Sequence, residues 1–280
     1  MAADLPSFTY FNVTIPQEYV AHIETNRPKK MNAYFEPMWQ ELRTILDTLS
    51  VSPSIRSIIF TGAGPAFTAG LDVKAASESL SAPGKTSSDP ARTAAKLRRY
   101  IADFQDCVTA LERCEKPVII VLHGISYGLA VDLACAADVR LCSADSQICV
   151  KEVDIGLAAD IGTLSRLGKI VGSFGWVKEV CMSARIFGAE EARRVGFVNA
   201  VSETKEAAVQ AGLEMAAAMA AKSPVAVQGT KEVLNWSRDH SVQDGLRYTG
   251  VWNGAALQTT DIQRALLSGI ERRRPTFEKL

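Results

Sequence analysis

The chain has 280 residues, with 31 Lys and Arg against 31 Asp and Glu, so its formal net charge is zero. That balance excludes a strongly basic nucleic-acid surface or a polybasic membrane anchor. Hydrophobic residues make up 47% of the chain, enough for a sizeable core. The length allows one large domain or two small ones. No apolar stretch approaches the ~20 residues that a membrane span needs. Residues Met1 to Pro6 lack the charged and apolar regions of a secretory signal. The six Cys (107, 114, 135, 142, 149 and 181) form no C-x-x-C pair and are expected to be reduced core residues of an intracellular protein. The three His (22, 123 and 240) show no metal-ligand spacing, so no metal site is expected.

Residues 8–15 and 18–24 alternate apolar and polar side chains and predict two strands around Pro16-Gln17. Arg27 to Ala33 reads as a loop, either a solvated basic turn or an anion-binding one. The periodicity of Met38, Leu42, Ile45, Leu46 and Leu49 predicts a helix over 34–50, and Ile55–Thr61 reads as a strand. Gly62 to Val73 is glycine-rich, which lets backbone approach a ligand closely. It lacks the spacing of a P-loop or a dinucleotide fingerprint. Residues 77–90 are rich in Ser and Pro and read as a mobile loop; 91–113 reads as a long helix. Val118–Leu122 predicts a buried strand. His123-Gly124 breaks it, and a small-residue helix follows over Leu129–Ala137.

Strands are expected at 139–142, 147–150 and 197–201, and short helices at 163–171, 173–184 and 189–195. After about 203 the pattern is helical, over 205–222, 225–238, 241–251 and 260–273. Lys222-Ser223-Pro224 is the one internal break. Strands alternating with helices, then helices alone, imply an α/β core carrying a helical tail, packed on that core or on a neighbouring subunit.

A helix that starts just after a strand leaves its first N–H groups unpaired. Such a terminus favours bound or developing negative charge. Three carboxylates near it, Asp132, Glu152 and Asp160, lie in apolar text, where each is costly to bury without a partner or a task. The plainer alternative for Asp160 is an N-cap of the helix after it; for Asp132 it is a polar position on a helix face. Asp72 reads as a cap or loop brace, Asp138 and Asp154 as structural, Lys74 as solvated, and His123 as a packed strand-end histidine. Tyr127 is placed at the pocket wall.

Three stretches stand in a familiar order: Ala66-Phe67-Thr68-Ala69-Gly70-Leu71-Asp72-Val73, His123-Gly124 through Asp138-Val139-Arg140, and Gly188-Ala189-Glu190-Glu191-Ala192 through Gly196-Phe197-Val198-Asn199. In these stretches the chain resembles the crotonase (enoyl-CoA hydratase/isomerase) superfamily over about residues 10–275. The resemblance implies an α/β fold with a crotonase-like ββα spiral core over 1–202 and a C-terminal helical trimerisation region over 203–280. It implies a homo-trimer or homo-hexamer and an acyl-CoA substrate. It also implies no metal and no separate cofactor, coenzyme A being part of the substrate. The backbone N–H groups of Leu71 and Leu129 would form the oxyanion hole for the thioester. Ala69, Gly70, Leu71, Asp72, Val73 and Leu129 would line the substrate site. The family usually carries glycines where this chain has Leu129 and Ala130; a backbone donor needs no glycine side chain.

Hydratases of the superfamily carry Glu at the positions of Asp132 and Glu152 and Gly at that of Asp160. The Asp-Glu-Asp arrangement here instead resembles the Δ3,5-Δ2,4-dienoyl-CoA isomerase branch. That resemblance implies conversion of a 3,5-dienoyl thioester to its 2,4 isomer, in the β-oxidation of unsaturated fatty acids. A proton leaves C2 and another arrives at C6, too far apart for one carboxylate to serve both. Glu152 is assigned to C2 and Asp160 to C6, an order that could be reversed. Asp132 is expected to tune or hydrogen-bond Glu152. Ile155, Leu157 and Ile161 are expected to surround Asp160 with apolar groups, as suits an acid that donates near neutral pH.

The alternatives are hydration of a 2-enoyl-CoA, Δ3-Δ2-enoyl-CoA isomerisation, or a non-catalytic acyl-CoA- or RNA-binding protein of the same fold. Neutral charge and the three carboxylates argue against the last. Lys279-Leu280 match two residues of a Ser-Lys-Leu peroxisomal address, and Glu278 does not. With the fatty-acid resemblance, the expected compartment is the peroxisome, with the mitochondrion as the alternative.

Overall fold

The computed structural model of the chain describes residues 6–75 and 89–280. The stretch read as a mobile loop therefore lies outside the described residues, except Asp89, which caps the following helix, and Pro90, which begins it.

The chain opens with an antiparallel hairpin, β1 (Phe11–Gln17) and β2 (Tyr19–Thr25). The turn falls at Glu18-Tyr19 rather than Pro16-Gln17, with Tyr19 at φ 65. Pro16 stays in β1 because the ladder bulges between Thr14 and Gln17 on the outermost strand, where a missing N–H costs nothing. Helix α1 (Glu36–Val51) buries all five of the periodic residues named above, together with Trp39.

Three turns of one pattern follow. A long strand is succeeded by a short strand, β3 (Ile55–Gly62) by β4 (Ala66–Thr68), then by helix α2 (Pro90–Arg113). Next, β5 (Val118–Leu122) and β6 (Ile125–Tyr127) precede α3 (Leu129–Ala136). Then β7 (Val139–Ser143) and β8 (Gln147–Cys149) precede α4 (Thr163–Ile170). Helix α5 (Phe174–Ser183), β9 (Phe187–Gly188), α6 (Ala189–Arg194) and β10 (Ala200–Ser202) complete the core. The first sheet runs β1-β2-β3-β5-β7-β10, parallel after its hairpin; the second runs β4-β6-β8-β9. This is the ββα spiral that the resemblance implied.

The strands β4, β6 and β9 were not predicted, because pieces of three, three and two residues are too short to show alternation. The last strand starts later than expected. Phe197 and Val198 both return their N–H groups to Ala192 O, at 2.8 and 3.3 Å, and so still belong to the end of α6.

Both faces of the first sheet are covered, which is why β3 and β5 read as continuous apolar runs. Ile58, Phe60, Ile120 and Leu122 face one core with α1 and α2. Ile59, Ile119 and Val121 alternate to the other face, against Ala208 and Ala216 of α7 (Lys205–Ala220). Ser57 fastens that helix by donating its hydroxyl to Ala216 O at 2.9 Å. Helices α8 (Pro224–Ser237), α9 (Val242–Ala256) and α10 (Asp261–Ile270) follow. Lys231 of α8 anchors them: its buried ammonium donates to Leu111 O, Lys116 O and Asp138 Oδ2 at 3.1, 3.0 and 2.8 Å. All six cysteines are buried and unpaired, as expected of core residues. Among the described residues no helix is long and apolar enough to cross a membrane.

Candidate active site

The ends of the second sheet's strands bring three backbone segments together. After β4, Tyr34 donates its N–H to Gly70 O and accepts from Asp72 N–H, each at 2.8 Å. This bridge uses both neighbours of Leu71 and turns the Leu71 N–H to the opposite side. After β6, Gly128 donates to Cys149 O at 2.8 Å and then starts α3, whose first N–H belongs to Leu129. Among the described residues, neither the Leu71 nor the Leu129 N–H has an acceptor. The Leu129 side chain packs into the core, so its bulk lies away from this spot. After β8, a 3-10 turn over Glu152–Ile155 carries Glu152.

Two glycines make the convergence possible. Gly70 has φ +94, and a Cβ there would lie 3.1 Å from Tyr127 O and 3.8 Å from Leu129 N. Gly128 has φ +53, and a Cβ there would lie 3.2 Å from Glu152 Oε1. The Glu152 carboxyl thus sits beside the start of α3, one residue ahead of the Leu129 N–H. Its Oε2 is buried without a hydrogen-bond partner. Burial raises its pKa above the ordinary glutamate value; the N–H groups of Glu152 and Lys151 pull it down, and the charge of Asp160 adds to the rise.

Asp132 lies one turn into α3 and is 2% exposed. It makes no hydrogen bond to Glu152. Its Oδ1 accepts from both the N–H and the hydroxyl of Thr163, each at 2.7 Å. Asp132 therefore caps α4 from across the fold, a task the sequence offered to Asp160 as its plainer alternative. Burial, then the charge of Glu152, pushes the Asp132 carboxyl up to about 7, against the pull of the Thr163 donors. The coupling between Asp132 and Glu152 is thus through charge alone.

Asp160 is exposed, and its carboxylate has no hydrogen bond or ion pair among the described residues. The expected apolar enclosure is not met: Ile155 is 55% and Leu157 38% exposed, and only Ile161 is buried. Ala159 and Ile161, on either side, are anchored in the core. Gln105 of α2 donates its Nε2 to Asp160 O at 2.5 Å.

Most residues given a plain reading keep it. Asp72 pairs with Arg27 at 2.7 Å and accepts from Ala75 N–H at 3.2 Å, so it braces the loop. That pairing also occupies the one arginine of the basic loop, while Lys29 and Lys30 remain exposed. Val73 and Lys74 are exposed, and Ala69 is half-buried with its N–H on Met31 O at 2.9 Å. His123 is packed against Gly64 O at 3.1 Å, and burial, then the charge of Lys205, lowers its pKa to about 4. Tyr127 donates its hydroxyl to Gln147 Oε1 at 3.1 Å. Among the described residues no group of three or more His, Cys, Asp and Glu is placed to hold a metal ion.

Gly128, Thr163 and Arg166 also shape the site, without a role legible in the sequence. Arg166 bonds Glu112 Oε2 at 2.7 Å and Thr109 Oγ1 at 3.0 Å, locking α4 to α2. A signal was available in α2, whose polar positions 105, 109 and 112 fall on one helical face.

The arrangement joins two free N–H donors to a buried carboxyl with an open oxygen, with a second carboxylate nearby. A profile of the enoyl-CoA hydratase/isomerase family matches residues 16–279. The chain belongs to the enoyl-CoA hydratase/isomerase family. Among its relatives, the mouse "Delta(3,5)-Delta(2,4)-dienoyl-CoA isomerase, mitochondrial" is 41% identical over 277 residues, covering 98% of this chain and 84% of that protein. The Arabidopsis thaliana "Delta(3,5)-Delta(2,4)-dienoyl-CoA isomerase, peroxisomal" is 39% identical over 261 residues, covering 93% of each. A "Short-chain-enoyl-CoA hydratase" of Clostridium acetobutylicum is 28% identical over 265 residues, covering 94% of this chain and 96% of that protein. Among solved structures, a putative enoyl-CoA hydratase from Streptomyces coelicolor superposes with a TM-score of 0.87 at 26% identity, covering 99% of this chain and 97% of that one. The family and the fold agree with the crotonase resemblance.

Proposed function

We propose that this enzyme isomerises 3,5-dienoyl-CoA to 2,4-dienoyl-CoA in the β-oxidation of unsaturated fatty acids. The observation that carries the reading is the meeting of Gly70-Leu71, Gly128-Leu129 and Glu152 at one place. The names of relatives 39% and 41% identical support the same reaction. The thioester oxygen accepts from the N–H groups of Leu71 and Leu129, beside Ala69, Gly70, Asp72 and Val73. Glu152, with an unpartnered oxygen and a raised pKa, takes the C2 proton. The electron pair of the broken C–H bond moves into a dienolate whose oxygen is held by those donors. Losing one such donor costs on the order of 3 kcal/mol in comparable sites. Asp160 delivers a proton to C6, which leaves double bonds at C2 and C4. Asp132 holds α4 and meets Glu152 through charge. No metal or separate cofactor takes part in this scheme; coenzyme A enters with the substrate.

The same reading extends to assembly and place. Helices α9 and α10 expose the large apolar side chains Val242, Leu246, Val251, Leu266, Leu267 and Ile270, which a subunit contact would cover. We assign residues 203–280 to a trimer contact, in a homo-trimer or homo-hexamer. The compartment is one of the two that the relatives' names carry, peroxisome or mitochondrion.

The test is a spectroscopic assay on 3,5-octadienoyl-CoA, whose conjugated 2,4 product absorbs where the substrate does not. Native enzyme should form that product, and Asp160→Asn should slow it by roughly a hundredfold or more. Efficient 2-enoyl-CoA hydration that ignores the Asp160 substitution, with no isomerisation, would make the protein a hydratase and return Asp160 to a loop position.

A further inference from the structure

The segment that carries Asp160 is tethered in an unusual way. Between Ala158 and Ile161 no backbone group makes a hydrogen bond to another backbone group among the described residues. The burial of Ala159 and Ile161 fixes its depth. The single polar tether is the bond from Gln105 Nε2 to Asp160 O at 2.5 Å. Gln105 is exposed and contributes nothing to the core. It belongs to a polar stripe on α2, with Thr109 and Glu112, that faces the stretch from Asp160 to Arg166. Thr109 donates its hydroxyl to Gln105 O at 2.6 Å and accepts from Arg166 Nη2 at 3.0 Å. Glu112 takes Arg166 Nε at 2.7 Å and, on its other oxygen, Arg238 Nη2 of α8 at 2.7 Å.

Arg166 and Glu112 hold α4 and its neighbours, a structural task. Among the described residues Gln105 is the one that hydrogen-bonds Asp160, whose carboxylate has no hydrogen bond or ion pair there. We propose that Gln105 is a positioning residue that sets the place of the Asp160 carboxylate relative to Glu152. A rotation of the Asp160 peptide would swing that carboxylate across the site, because among the described residues no hydrogen bond or ion pair holds it. The inference rests on the reading of Asp160 as the carboxylate at one end of the diene.

The experiment is a double-mutant cycle on isomerisation of 3,5-octadienoyl-CoA, using Gln105→Ala, Asp160→Asn and the pair. Misplacement of a reacting group by about 1 Å costs up to roughly a hundredfold, so Gln105→Ala should lower kcat by about tenfold with KM changed less than about twofold. In the Asp160→Asn background the same change should cost nothing further, because the group that Gln105 places is already lost. Gln105→Glu, of equal size but without the N–H donor, should behave as Gln105→Ala, and Gln105→Lys, which restores a donor of similar reach, should recover most of the rate. Equal losses from Gln105→Ala in both backgrounds would show a general structural role and overturn the proposal. So would an unchanged kcat in Gln105→Ala and Gln105→Glu while Asp160→Asn is impaired. An Asp160→Asn enzyme that isomerises at the native rate would instead remove the functional reading on which the proposal stands.

Discussion

Asp132 directs its buried carboxylate to the Thr163 end of α4 rather than to Glu152. Its pKa, pushed up to about 7, makes it a stability group as well as a site group. The folded state binds the Asp132 proton more tightly than the unfolded chain does. Its favourable contribution is therefore complete below the ordinary aspartate value of 3.8 and declines as pH rises toward about 7. Asp132→Asn keeps an acceptor for Thr163 but carries no charge. Its stability relative to native protein should rise between pH 4 and pH 7, by at most about 4 kcal/mol at roughly 1.4 kcal/mol per pH unit. Parallel denaturant titrations across that range would read the difference, and a flat difference would mean that Asp132 is ionised throughout. Glu152 differs in kind: one of its oxygens is buried with no partner, a costly state in a merely structural residue.

Elements place these groups through backbone close approach. Gly128 joins β6 to α3 at φ 53 and ψ −111, a conformation that L side chains rarely adopt. Gly128→Ala adds both that strain and a Cβ at 3.2 Å from Glu152 Oε1. The expected result is a stability loss of about 1–3 kcal/mol, with a fall in kcat larger than the fall in folded fraction. Thermal melts run beside initial rates would separate the two. Lys231 is the corresponding device for the C-terminal helices. Lys231→Met strands Asp138, which keeps only the Val118 N–H at 2.7 Å. Breaking a buried pair in this way costs about 3–5 kcal/mol. Burial already raises the Asp138 pKa, against the pull of Lys231, so the loss should ease as pH falls and the stranded carboxyl takes up a proton. A loss independent of pH would point to packing alone.

For the whole molecule, the spiral stacks like units so that the short strands β4, β6 and β8 run parallel and end on one side, and the site forms where those ends meet. The apolar residues of α9 and α10 lie elsewhere, on the helices after the α7 layer. If they form the subunit contact, light scattering at micromolar concentration should give the mass of a trimer or hexamer. A paired substitution such as Leu246→Asp with Leu266→Glu should shift the mass toward the single chain of 30.2 kDa. A native protein that runs as a monomer would remove this assignment.

The long elements, the identity of the three carboxylates and the family were all legible in the amino-acid sequence. These depend on local periodicity and on residue type at fixed separations, both of which survive in a one-dimensional reading. The buried runs of β3 and β5 and the stripe of α1 were legible because each is long enough to show its period. Which groups meet depends on how the elements dock. Of the second sheet only β8 was legible; β4, β6 and β9 are too short to carry a pattern. Asp132 and Thr163 are 31 residues apart, so their bond depends on how α3 and α4 dock. Of the apolar residues near Asp160 in sequence, Ile155 and Leu157 turned outward while Ile161 stayed in the core, since adjacency along an irregular loop does not fix where side chains point. Gln105, 55 residues before Asp160, acquires its meaning only when α2 lies against that loop.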